Sequence, residues 1–92
     1  MKPIRFSPRA DTDLVEIAAY YERIAPDVLA RIRADIERGL DLIKDYPERT
    51  ALVSGTSYRR YVTSRYRFKI AYRVHTGHIA VLGIYRFQNR IA

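Results

Sequence analysis

Residues 58–74, "YRRYVTSRYRFKIAYRV", set five aromatic rings among six Lys or Arg side chains and contain no acid. An arginine fork matches phosphate or carboxylate oxygens two at a time, and such cations can stabilise a phosphorane-like transition state without a metal. Tyrosine or lysine beside them moves protons only if its surroundings shift its pKa. The positions that could carry such contacts are Arg59, Arg60, Arg65, Arg67, Lys69, Arg73 and, further on, Arg86. Hydrolysis by paired carboxylates does not fit this half of the chain, because residues 51–92 hold neither Asp nor Glu. His75 and His78 flank a turn with no carboxylate or cysteine nearby, and read as polar turn residues rather than metal ligands. Ser54, Gly55 and Ser57 match no phosphate-cradling motif. No cofactor and no metal are expected.

The charge is unevenly spread. Of the net +7, residues 1–50 contribute about −1, with 9 Lys or Arg against 10 Asp or Glu, and residues 51–92 contribute +8. Seven of those eight cations are Arg. One or two cations keep an exposed sheet soluble, but a single-sign patch reads as a partner site, for nucleic acid or an acidic protein surface. The 92 residues, 48% hydrophobic and 29% charged, fit one globular domain over 1–92. With no cysteine, no apolar run of membrane-spanning length and no signal-peptide core in "MKPIRFSPRAD", a cytoplasmic protein is the expectation, without membrane contact.

Those side chains need elements to position them. "IRF" reads as a short strand, and "SPRADTDL" as a helix entry with Ser7 as N-cap and Pro8 at the first helical position. Ala10, Leu14, Ile17, Ala18 and Tyr21 form the inner stripe of that helix. Pro26 starts a second helix with Leu29, Ile32, Ile36, Gly39, Leu40 and Ile43 on one face, and Pro47 ends the hairpin. Gly39 in a helix interior suggests a close approach by the first helix. The period then switches to two. In "RYRFKIAYRV", residues 65–74, the set from Tyr66 to Val74 faces the helices, and Arg65, Arg67, Lys69 and Arg73 face outward in a row. "HTGH" is a hairpin turn, "IAVLGIYRF" an interior strand, and "SYRRYV" the strand before. The expected class is α+β, a helical hairpin on one face of a roughly four-stranded, mainly antiparallel sheet.

The pattern Ala10-x-x-Asp13-Leu14-x-x-Ile17-x-x-Tyr20, the hairpin closure at Pro47, and the succession "YRRYV", "YRFKIAYRV", "IAVLGIYRF" together resemble the RelE/ParE superfamily of small bacterial toxins, over about residues 4 to 88. The resemblance implies a toxin of a type II toxin–antitoxin system, associated with growth inhibition and plasmid stabilisation. It also implies a cognate antitoxin whose acidic C-terminal segment folds over the toxin in a hetero-oligomer or with toxin homo-oligomers. ParE-like members poison DNA gyrase, and RelE-like members cleave mRNA on the ribosome. The Arg pair of "YRRY", and a chain ending at Ala92 without a helix bearing a late tyrosine, favour the ParE-like branch. The alternatives are a ribosome-dependent, metal-independent endoribonuclease using Arg65, Lys69 and Arg86, a non-toxic nucleic-acid-binding module, and an inert antitoxin-bound relic.

Overall fold

The computed structural model describes residues 2–86. Phe87, the last residue of the expected final strand, and Arg90, one of the eight C-terminal cations, lie outside the described residues. The element order is β1 (Ile4–Phe6), α1 (Pro8–Ile24), α2 (Pro26–Asp45), β2 (Arg59–Val62), β3 (Lys69–Val74) and β4 (Ile79–Tyr85). The four strands form one sheet in the order β1-β4-β3-β2, with β1 parallel to β4 and the other pairs antiparallel. The architecture is therefore the expected α+β arrangement, with β4 in the interior.

Local chemistry explains the boundaries. The Ser7 hydroxyl accepts the Ala10 amide at 3.1 Å and Pro8 occupies the first turn, so α1 starts with one orphan donor satisfied. Ala25, at φ −158°, leaves the helical region and Pro26 opens α2. The hairpin joining β3 and β4 is closed by the His75 amide donating to the His78 carbonyl at 2.8 Å. Ile32, Ile36 and Ile43 of α2 meet Ile70 and Tyr72 of β3 and Ile79, Val81 and Ile84 of β4 in one buried cluster, which Ala10 of α1 and Phe68 join.

Three details depart from the sequence reading. Gly39 is buried, but an added Cβ would meet Tyr61, Thr63 and Ile70 at 3.1–3.3 Å, so the close approach is to the sheet and not to the first helix. Gly39→Leu is therefore expected to lower stability by about 2 kcal/mol in urea unfolding, because overpacking outweighs the helix-propensity gain. Tyr20, which as a tyrosine next to the inner stripe is expected to pack in the core, is 47% exposed. The third concerns β3, which begins at Lys69 rather than at residue 65. Residues 64–66 form a turn and Arg67 sits at φ +62°, in the left-handed region. Phe68 is buried although it precedes the strand, so the apolar alternation runs on through the turn and imitates a longer strand.

A bulge interrupts β4. Ala71 lies opposite Gly83 while Tyr72 lies opposite Val81, which leaves Leu82 as the extra residue. Helix α1 collects the groups this frees: the Ser7 hydroxyl donates to the Leu82 carbonyl at 3.0 Å, and the Ile84 amide donates to Asp13 Oδ2 at 2.9 Å.

Candidate partner-binding surfaces

The cations nominated by sequence fall into four environments. Arg65 and Arg67 stand exposed on the turn joining β2 to β3. That turn is held by the Thr63 amide donating to the Phe68 carbonyl at 2.8 Å and the Phe68 amide donating to the Thr63 hydroxyl at 2.9 Å. Its other anchor is Asp35 of α2, 1% exposed, whose two carboxylate oxygens accept the Arg65 amide at 3.2 Å and the Tyr66 amide at 2.7 Å. Burial pushes the Asp35 carboxyl up. Hydrogen bonds from Thr63, Tyr66 and Arg65, together with the Arg38 charge, outweigh that and hold it below its ordinary value. The acid thus binds the backbone of the turn and leaves the two guanidinium groups to solvent.

Arg67 carries a left-handed backbone that glycine would adopt without strain. Arg67→Gly is expected to raise stability by about 0.5–1 kcal/mol in thermal unfolding while weakening any contact the side chain makes. A loss of stability would mean that Arg67 is held by interactions within the fold.

Lys69 and Arg73 belong to the sheet. Residues paired across a ladder share a face, so Lys69 stands beside Val62 and Tyr85, and Arg73 beside Ala80, on the side away from the helices. Arg60 joins them opposite Ala71. The expected row of Arg65, Arg67, Lys69 and Arg73 is therefore split between the turn and the outer sheet face, because the strand starts four residues later than the alternation suggests. Arg59 has a different task. It pairs with buried Tyr72, and its guanidinium donates to the carbonyls of Thr50 and Glu48. The Tyr72 hydroxyl donates to the Pro47 carbonyl at 2.8 Å, so the two residues together secure the segment after α2.

Arg86 lies on the helix side of the sheet end. Its guanidinium donates to the Tyr21 hydroxyl at 2.7 Å and sits 5.7 Å from the centre of the Phe68 ring. With Tyr20, Ile24 and Tyr85 they line a cleft of about 540 Å3 beside the C-terminal half of α1. Lys69 and Arg86 consequently occupy opposite faces, since their chain neighbours Phe68 and Tyr85 alternate with them.

A fifth surface is apolar. An open groove of about 420 Å3 runs between the helices, lined by Phe6, Leu14, Val15, Ile17 and Ala18 on one side and by Leu29, Ile32, Ile36 and Leu40 on the other, with Arg33 and Glu37 at its rim. Val15 is 68% exposed there. An exposed apolar strip beside charged residues is the form taken by helix-in-groove and extended-peptide docking sites. Among the described residues no group of three or more His, Cys, Asp or Glu could hold a metal, and no helix is long and apolar enough to cross a membrane.

Sequence reasoning missed the roles of Asp13 and Asp35 as buried acceptors and the place of Arg5 on the sheet. The two acids had a signal: Asp35 lies between Ile32, Ile36 and Gly39 on the inner stripe, and Asp13 between Ala10, Leu14 and Ile17. An acid among apolar stripe positions marks a buried carboxylate with backbone partners to satisfy. Arg5 had none, because its place depends on the parallel pairing of β1 with β4.

A helical hairpin laid on one face of a mixed four-stranded sheet, with this order of elements, is the RelE/ParE-like toxin fold. The family model described as "ParE toxin of type II toxin-antitoxin system, parDE" matches residues 4–90, and the chain belongs to that family. A solved structure described as the chromosomal ParDE TA system from P. aeruginosa superposes with a TM-score of 0.80 at 21% identity, covering 96% of this chain and 98% of the other. No curated protein matches the chain.

Proposed function

We propose that this protein arrests growth by poisoning DNA gyrase and is held inactive by a cognate antitoxin, the pair acting in the cytoplasm. Membership of the ParE toxin family supports the toxin role. The observation that carries the choice of target is the dispersal of Arg65, Lys69 and Arg86 over a turn and two opposite sheet faces. A nuclease working by charge alone needs its cations converged on one scissile phosphate. Dispersed cations suit recognition of a large surface instead, and the exposed pair Arg65 and Arg67 offers it a projecting basic tip.

The antitoxin reading rests on the apolar groove between α1 and α2. A flexible segment must recover its ordering cost through long contact, and the groove offers aliphatic anchors with Arg33 at the rim for an acidic residue. No cofactor or metal enters the proposal.

Purified protein added to gyrase and supercoiled DNA is expected to inhibit supercoiling and accumulate cleaved DNA, and stoichiometric antitoxin is expected to abolish both effects. Gyrase activity unchanged at a large excess of protein, with mRNA cut on translating ribosomes, would replace this reading by the endoribonuclease.

A further inference from the structure

The sheet face opposite the helices gathers a cation that lies outside the basic half of the sequence. Arg5 pairs with Ala80, which pairs with Arg73, so the three share one face across β1, β4 and β3. Arg60 and Lys69 stand on the same face, around Ala71. None of these four cations forms an ion pair with a carboxylate among the described residues. Arg5 already acts at a distance: partial desolvation, His75 and then Arg5 push His78 below its ordinary value of 6.5. The floor between the cations is low, because Ala71 and Ala80 occupy its centre.

We propose that this face binds the phosphate backbone of duplex DNA. A sheet that takes single strands presents aromatic rings at the centre of its middle strands for bases to stack upon, and here alanines stand in those places. An acidic peptide needs apolar anchors to recover its ordering cost, and those lie in the groove on the other side of the molecule. What remains is charge above a shallow floor, with Arg73 also donating to the Ser57 hydroxyl at 3.1 Å and Lys69 lying 5.9 Å from the centre of the Tyr85 ring. Arg5 and Arg73 are two strand spacings apart, about 10 Å, and Lys69 and Arg73 about 13 Å along β3, dimensions close to the ~12 Å width of a major groove. Contacts of this kind grip phosphates without reading bases. The role assigned to the face rests on the gyrase reading, in which it meets the DNA that the enzyme holds, but the binding belongs to the free chain.

Anisotropy of a short labelled DNA duplex titrated with the full chain tests it. The log–log dependence of affinity on salt is expected to have a slope of about −3 to −4, as for about four neutralised phosphates. Arg5→Ala with Arg73→Ala is expected to reduce the slope by about two, whereas Arg31→Ala, on the exposed side of α2, leaves it unchanged. The inference is overturned by an unchanged slope in the double variant, by absence of binding at low salt, or by tighter binding of single-stranded DNA, duplex RNA or poly-glutamate. If the double variant loses the duplex yet poisons gyrase at native potency, the assigned role fails and the target reading stands. If the duplex is bound as expected and gyrase is unaffected, the target reading alone fails.

Discussion

Asp35→Ala is expected to lower stability by about 3 kcal/mol or more, a drop in Tm on the order of 10–20 °C for a domain of this size. The Asp35 carboxylate is buried and holds the amides of Arg65 and Tyr66, while the adjoining Thr63 hydroxyl and Arg38 charge also favour its ionised form. Alanine suits the helix itself, so the loss comes from donors left without an acceptor in a site water does not reach. The whole domain is stable by only about 5–15 kcal/mol, so this is a large fraction.

Its pH dependence has a definite sign. Because the folded-state pKa of Asp35 is depressed, its contribution is complete above the unfolded value of about 3.9 and is lost as pH falls through the folded value. The native protein should therefore show an acid-induced loss of stability that Asp35→Ala lacks. Thermal melts of both proteins between neutral and acid pH check this. A variant within about 1 kcal/mol of the native protein at neutral pH would mean that solvent reaches the turn and replaces the carboxylate.

Val15→Asp is expected to leave the fold and toxicity intact while weakening antitoxin binding by about 30-fold or more, the effect of losing one apolar anchor of about 2 kcal/mol. Val15 is exposed on α1, so the substitution should change stability by no more than about 0.5 kcal/mol. It also places a negative charge in the groove meant for an acidic segment. Co-expression with the antitoxin should rescue growth of cells making the native chain and fail to rescue those making the Val15→Asp variant, a result read from growth curves and from co-purification. Full rescue by an antitoxin that still binds at native affinity would move the docking site away from the groove.

Much of the fold was legible because its boundaries are set by local chemistry. Ser7 with Pro8, Pro26 and Pro47 mark the helices, and Gly77 lies in the hairpin turn. The start of β3 was not legible, because Phe68 is buried from within a turn and thus keeps the alternation of a strand. That one difference separates Arg65 and Arg67 from Lys69 and Arg73. The roles of Arg59 and Arg86 were hidden for another reason: each guanidinium is occupied by a contact that periodicity does not reveal, the first with carbonyls of the segment after α2 and the second with Tyr21, far away in the sequence. Composition reveals how much charge a chain carries, while pairing and packing decide which cations meet solvent together.

Induced expression of the native chain without its antitoxin, with DNA breakage and mRNA integrity followed in the same culture, distinguishes gyrase from the ribosome as the target. Growth is expected to stop with induction of the DNA-damage response and gyrase-linked breaks, while transcripts stay whole. Unimpaired growth from an intact reading frame, or arrest accompanied by cut transcripts and unbroken DNA, would contradict the gyrase reading.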